Sequence, residues 1–189
     1  MNAAPLLNFG CGGVRPAGWM NLDGQGVAAG EDDHFIQHDL ARPMPLPPDY
    51  LDGAASCHVV EHFDQQESLA LFRDLWRVLK PGGWLCVGVP NASYFRQVWP
   101  EDTRANSMAL FGEAIPDGDP VLCNLIRALF FHEHKQMFTE DSLWCLFTAA
   151  GFENMSVVDG AMHQAAPCFN RHKFTLFMEG VKPEPPGVN

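Results

Sequence analysis

The stretch LLNFGCGGVRPAGWMNLD, residues 6 to 23, gives the first indication of how this chain folds. The apolar run before Gly10 predicts a buried strand, and Trp19 to Leu22 predict a second, parallel strand that stops at Asp23. Closely spaced glycines after a strand let the backbone turn tightly and approach a ligand, because no Cβ intervenes. The pattern predicts either a nucleotide-binding turn or an ordinary glycine turn, and the glycines alone do not separate the two.

The connection between these two strands is unusually short. About nine residues separate Gly10 from Trp19, and Pro16 lies among them. A full helix does not fit in that length, so we expect the first crossover to be a turn. Arg15 also occupies the place of the third glycine of a GxGxxG pattern, which argues against a dinucleotide-binding oxidoreductase.

Strand and helix signals alternate along the rest of the chain, which indicates an α/β fold. Gln65 to Leu79 carry apolar residues at three- and four-residue steps, the pattern of an amphipathic helix on a sheet. The run WLCVGVP at 84 to 90 is typical of a strand buried on both faces. Further strands are predicted at 34–37, 51–59, 155–159 and 173–181, and further helices at 121–131 and Thr139 to Ala150.

Length and charge limit the domain organisation and the partners. The 189 residues predict one domain, with 91–138 as a substrate-side insertion or lid and 181–189 as a frayed tail. The net charge of −11 and the absence of basic runs disfavour a nucleic-acid or membrane partner. Six scattered cysteines without a CxxC pair predict a reduced, cytoplasmic protein.

Five segments together resemble class I S-adenosylmethionine-dependent methyltransferases, in the order that this family uses. They are LLNFGCG, the acidic Asp23, HDL at 38–40, SCHVVEHF at 56–63 and RVLKPGGWLCVGVPN at 77–91. The short first crossover is similar to that of bacterial, type 11-like members acting on small molecules or glycans. The resemblance implies a Rossmann-like, doubly wound sheet of about seven strands. It also implies that the sheet is mostly parallel with an antiparallel last strand, and that helices lie on both faces.

The resemblance implies that the cofactor is S-adenosyl-L-methionine, with S-adenosyl-L-homocysteine as product. The methionine part would lie against the glycine turn, the ribose at the end of the second strand, the adenine after the third and the sulfonium after the fourth. In that order, the implied cofactor-binding residues are Gly10, Cys11, Gly12, Asp23, Asp39, Leu40 and His58. Asn8 departs from the family, which usually has an acidic residue at this position.

Histidines cluster where the fourth strand gives way to a helix. Histidine titrates near neutral pH and can remove the proton of an acceptor hydroxyl, so we consider His58, Glu61 and His62 as catalytic candidates. A buried or capping role for His62 is the alternative. The candidate substrate-binding residues are Tyr94, Arg96, His132 and His134.

Four histidines, His58, His62, His132 and His134, raise the question of a metal site, and we expect none. His58 and His62 have a His-x3-His spacing, but Val59 and Val60 follow His58, so the HExxH pattern is absent.

These observations lead to one expected function and one alternative. We expect an enzyme that transfers a methyl group to an oxygen or nitrogen of a small molecule or sugar. The alternative is a catalytically inactive, methyltransferase-like binding or scaffolding protein, a possibility raised by Asn8 and the missing first helix. Weak or absent cofactor binding would distinguish the alternative.

Overall fold

The computed structural model describes residues 5–25, 34–94, 133–169 and 174–185. Within these residues the chain forms one seven-stranded sheet with the order β3-β2-β1-β4-β5-β7-β6. The strands are β1 (Leu6–Phe9), β2 (Met20–Asp23), β3 (Phe35–Gln37), β4 (Leu51–Cys57), β5 (Leu79–Pro90), β6 (Glu153–Val157) and β7 (Thr175–Val181). The expected seven-stranded, Rossmann-like α/β architecture is confirmed.

The directions of the strands place several strand ends at the same edge of the sheet. β1 pairs in parallel with β2 and β4, and β4 pairs in parallel with β5. β7 is antiparallel to β5, with Thr175 opposite Pro90, so the start of β7 lies beside the end of β5. The last strand is therefore antiparallel, as expected, and the carboxyl ends of the parallel strands form the edge where ligands of such sheets bind.

β5 begins five residues earlier than the sequence pattern predicts. Leu79 already pairs with Leu51, and the register shifts before Trp84 pairs with Gly53. Gly82 has a φ of +76° within this shift. The KPGG segment is thus an irregularity inside the strand, because left-handed glycine backbone lets the chain bulge without leaving the sheet.

Two α-helices lie wholly within the described residues, α1 (Gln65–Val78) and α2 (Glu140–Ala150). Asp64 and Glu67 form a capping box at the start of α1, and Thr139 and Ser142 form another at the start of α2. These reciprocal bonds satisfy amides that have no partner within a helix. Both helices match the sequence prediction, including the stop of α2 at left-handed Gly151. The helix expected at 121–131 lies outside the described residues.

The two faces of the sheet are covered differently. The two α-helices pack on one face, where Phe72 of α1 contacts Phe147 of α2 in a T-shaped pair with ring centroids 5.1 Å apart. On the other face a second cluster includes Trp19 and residues of the β6–β7 connection, which contains the 3-10 helix Ala166–Cys168. Residues 10–19, all of them described, form turns without a helix, as the crossover length predicts.

The two ends of the expected insertion at 91–138 meet. Asn91 forms an isolated parallel bridge with Phe138, and the amide of Ala92 donates to the carbonyl of Phe138 at 2.8 Å. Most of the segment between them lies outside the described residues. Among the helices that the structure describes, none has the length and apolar character needed to cross a membrane. Every described cysteine is a free thiol.

Candidate active site

The glycine turn after β1 requires glycine at its first position. Gly10 has a φ of +66°, and a Cβ built there would lie 2.3 Å from Cγ2 of Val59. Gly12 also has a positive φ, +50°, but a Cβ there would meet no atom within 4 Å. Gly10 therefore packs the turn against Val59, two residues after β4, whereas Gly12 borders open space where a ligand can approach the backbone.

Asp23 lies at the tip of β2, beside this open space. Its Oδ2 accepts a hydrogen bond from the amide of Gly12 at 2.8 Å, and its Oδ1 accepts from the amide of Gln25 at 2.8 Å. These bonds fix the carboxylate, and each oxygen keeps a second acceptor site. A carboxylate held in this way suits the predicted contact with a ribose diol.

Asp39 and Leu40 follow β3 at the same edge. The amide of His38 donates to the carbonyl of Asp23 at 2.9 Å, which places the end of β3 beside the end of β2. Oδ1 of Asp39 accepts from the amide of Ala41 at 3.0 Å, and most of the side chain is exposed. Leu40 is buried. Asp39 thus presents an exposed polar group at this edge, and Leu40 an apolar side chain that packs in the core.

Asn8 has a role that the sequence did not reveal. Its side chain is buried, and Nδ2 donates to the carbonyl of Val14 at 2.8 Å and to Oδ1 of Asn21 at 3.1 Å. Asn21, its partner in the β1–β2 register, donates to the carbonyl of Trp19 at 3.1 Å. The two side-chain amides hold the short crossover in place. Asparagines at paired strand positions are the signal that could have identified this role.

His58 is held by two polar contacts directly after β4. Its Nδ1 lies 3.0 Å from Oε1 of Glu61, whose side chain is fully buried, and its Nε2 lies 2.9 Å from Oγ1 of Thr175. The φ of His58 is +58°, which is uncommon for a residue with a side chain. Strained backbone maintained by surrounding contacts is typical of functional sites. Sequence reasoning missed Thr175, because it comes from a distant part of the chain.

Two further histidines that the sequence singled out lie near Glu61. The rings of His62 and His134 have centroids 4.9 Å apart, and Nε2 of His134 lies 3.9 Å from Oε1 of Glu61. His62 is exposed, whereas His134 is largely buried. The structure therefore groups His134 with the predicted catalytic residues.

The other candidate substrate residues are less informative. Tyr94 is partly buried, and its amide donates to Oδ1 of Asn91 at 3.2 Å. Arg96 and His132 lie outside the described residues.

The thiol of Cys11 is buried in the glycine turn. Burial and the nearby Asp23 carboxylate raise the pKa of this thiol, although Arg15 opposes the change. A thiol with a raised pKa is a weak nucleophile and stays neutral near physiological pH. Cys11 therefore acts as a small apolar wall of the site, not as a reactive group.

The comparisons with known proteins agree with this geometry. A family model described as a methyltransferase domain matches residues 4–157. No protein of curated function matches the sequence significantly. Among solved structures, a possible histamine N-methyltransferase from Thermotoga maritima has a TM-score of 0.61 at 15% identity, over 96% of this chain and 83% of its own. A methyltransferase from Methanosarcina mazei has a TM-score of 0.60 at 14% identity, over 98% and 95%.

A third similar structure contains ligands. The Burkholderia thailandensis 1,6-didemethyltoxoflavin-N1-methyltransferase, solved with 1,6-didemethyltoxoflavin and S-adenosylhomocysteine, has a TM-score of 0.54 at 14% identity, covering 96% of this chain and 72% of its own. At such identities the likeness establishes the fold, whereas the family model covers most of the sequence. The chain therefore belongs to the methyltransferase-domain family and is a class I S-adenosylmethionine-dependent methyltransferase.

Proposed function

We propose that this enzyme methylates an oxygen or nitrogen of a small molecule or sugar, with His58 accepting the proton of the acceptor. The observation that carries the proposal is the position of His58, held between Glu61 and Thr175 at the carboxyl edge of the sheet. Gly10 packs against Val59, the neighbour of His58, which supports placing the glycine turn and the histidine in one site.

The described residues fit the cofactor. The open backbone at Gly12, the fixed Asp23 carboxylate and the Asp39–Leu40 pair would hold the methionine, ribose and adenine parts, in that order. Bound S-adenosylmethionine supplies an electrophilic methyl group on its sulfonium. The chain itself aligns the reactants, excludes water and accepts a proton, and alignment supplies most of the acceleration in such displacements.

The hydrogen bonds of His58 favour the tautomer that a base needs. A buried carboxylate only accepts hydrogen bonds, so Glu61 orients the ring with Nδ1 as donor. Nε2 then carries a lone pair, which the hydroxyl of Thr175 occupies as donor. An acceptor hydroxyl could take the place of this threonine hydroxyl. Glu61 would stabilise the imidazolium that forms, as a buried carboxylate does in other catalytic dyads.

The nature of the acceptor is supported by charge and by analogy. A net charge of −11 opposes long polyanions such as nucleic acids. The Burkholderia neighbour is named for methylation of a small heterocycle, 1,6-didemethyltoxoflavin, at N1. The contact between Asn91 and Phe138 also supports the role of 91–138 as a lid, because the segment leaves and returns at the active edge.

Calorimetric titration with S-adenosylhomocysteine tests the cofactor site. We expect binding by the natural chain and by Asp141→Ala, an exposed control in the first turn of α2, and strong loss of binding in Asp23→Ala. Transfer from radiolabelled S-adenosylmethionine to a panel of sugars, phenols and amines then tests the acceptor class. Failure of all three proteins to bind would favour the inactive scaffold, whereas binding with transfer only to macromolecules would reject the proposed acceptor.

A further inference from the structure

Two groups of side chains in the described part of the chain bring three metal-binding atoms within 4.8 Å of one another. One contains Glu61, His62 and His134, and the other contains Cys86, His163 and Glu179. Both contain imidazole, a good ligand for zinc and similar ions. The surroundings of the two groups decide which one is better suited to a metal ion.

The second group also contains a buried carboxylate oxygen without a hydrogen-bond partner among the described residues, Oε2 of Glu179, but this oxygen is already in an ion pair within the group. His163 and Glu179 form a direct ion pair, and the His163 ring packs against Trp84 and Phe169. Burial raises the pKa of the Cys86 thiol far above its ordinary value. A thiolate ligand must lose its proton, so this group favours packing over metal binding.

The first group contains a buried acceptor that needs a cation or a donor. The Glu61 side chain is fully buried, and its Oε2 has no hydrogen-bond partner among the residues that the structure describes. An unsatisfied buried carboxylate oxygen costs more than about 1–3 kcal/mol, the range for a neutral group. His62 lies on the same 3-10 turn and is exposed to solvent.

The third member is held in place by hydrogen bonds around it. The amide of Lys135 donates to the carbonyl of Glu61 at 2.7 Å. The side-chain amide of Gln136 donates to the carbonyl of Phe63 at 3.0 Å and to Oγ of Ser68 at 2.7 Å. These contacts fix the backbone beside His134 against the Glu61 turn, so an ion would not need to order this segment.

We propose that Glu61, His62 and His134 bind a divalent transition-metal ion of the zinc class. Two histidines and one carboxylate form a known ligand set for zinc, with a fourth position open to water or substrate. Ligand atoms of a tetrahedral ion lie roughly 3.4 Å apart, given bonds of about 2.1 Å. The present separations reach at most 4.8 Å, so small side-chain rotations close the site.

The position of the site suggests what the ion does. Oε1 of Glu61 contacts His58 at 3.0 Å, which leaves Oε2 for the ion and makes His58 an outer partner of the metal site. Because His58 is the proposed base, the metal site would adjoin the proposed acceptor site. Metal binding by these three residues does not depend on which acceptor the enzyme uses.

Cobalt titration tests the site directly. Co²⁺ would be added to the full chain after treatment with EDTA, with visible d–d absorption recorded and Zn²⁺ then added as competitor. We expect a saturable one-to-one spectrum that Zn²⁺ abolishes. Loss of an outer-sphere partner weakens metal sites about 10–100-fold, so His62→Ala and His134→Ala should each weaken binding by at least that factor. The exposed His34→Ala is the matched control and should bind normally.

Three results would overturn the inference. The first is the absence of a cobalt spectrum in the natural chain. The second is binding of cobalt by both histidine variants as tightly as by the natural chain. The third is a near-ultraviolet thiolate band, which would place the ion on cysteines. His62 is exposed, so its variant should fold, and circular dichroism checks this for each protein. Glu61→Gln is a further variant for the same titration, because the glutamine amide keeps the shape of the side chain but binds these ions poorly.

Discussion

Nδ1 of His58 lies 3.0 Å from Oε1 of a glutamate, Glu61, whose side chain is entirely removed from solvent. The contact spans three residues and crosses from the left-handed turn after β4 into the 3-10 helix Val60–His62. A buried carboxylate beside an imidazole fixes the ring and its tautomer. Thr175 completes the arrangement from the antiparallel strand β7.

Replacement of His58 by asparagine should remove the base and leave the fold intact. Asparagine tolerates a φ near +58° better than alanine, so His58→Asn avoids most of the backbone strain that His58→Ala adds. We expect kcat to fall by about 100- to 10,000-fold, the usual contribution of general-base catalysis. The dissociation constant of S-adenosylhomocysteine should change little.

Thr175→Val is the informative companion, because it removes the hydroxyl but keeps the shape. If the threonine only occupies Nε2 until the acceptor arrives, this variant should keep kcat within a few-fold. A loss as large as that of His58→Asn would contradict the assignment of His58 as base and indicate a shared structural role.

The sequence indicated which residues lie near this site better than it indicated which of them are in contact. His58, Glu61 and His62 were recognisable because they follow a buried strand in a chain with family motifs. Thr175 is far from His58 along the sequence, and His134 is far from Glu61, so these two contacts were hidden. Strand order and the return of the chain at Phe138 bring the partners together. Short local patterns do not encode such pairings.

Gly10→Ala should damage both stability and cofactor binding. The new Cβ would overlap Cγ2 of Val59 and sit at a φ of +66°. Overpacking and left-handed backbone each cost about 1–3 kcal/mol. Gly12→Ala also puts a side chain on left-handed backbone but creates no overlap. Its loss of unfolding free energy, measured by urea unfolding, should therefore be smaller than that of Gly10→Ala.

A second substitution separates the two causes at Gly10. Val59→Ala removes both methyl groups that the new Cβ would meet, so the double variant should recover part of the stability that Gly10→Ala loses. A double-mutant cycle measures this coupling. Strictly additive losses would show that the contact with Val59 is not the cause.

The fold was more predictable than the site. Helix periodicity, capping residues and continuous apolar strands are local, and α1, α2 and the sheet follow them closely. β5 shows where local reasoning ends, because proline and two glycines at 81–83 indicate a turn and yet the strand continues by bulging against β4. Pairing with a neighbour overrode the local preference there.

Asn8→Asp should destabilise the protein, although it restores the acidic residue that this family usually has. Asn8 donates two hydrogen bonds from a buried amide, and an aspartate would instead face the carbonyl of Val14 and Oδ1 of Asn21. Each lost bond that leaves a buried acceptor unpaired costs about 1–3 kcal/mol. Thermal unfolding checks this, and unchanged stability with tighter cofactor binding would show that Asn8 does not brace the crossover.

Thiol labelling tests whether the β6–β7 connection covers the face of the sheet opposite the two α-helices. Cys145 is exposed on α2, whereas Cys168 lies in the cluster on the opposite face, where burial raises its pKa to about 12. Iodoacetamide reacts with the thiolate, so Cys145 should be alkylated first at neutral pH in peptide mapping by mass spectrometry. Because the pKa is raised, the thiolate fraction of Cys168 should grow about tenfold per pH unit up to that value. Equal labelling of both cysteines in the folded protein would contradict the packing of the β6–β7 connection on the sheet.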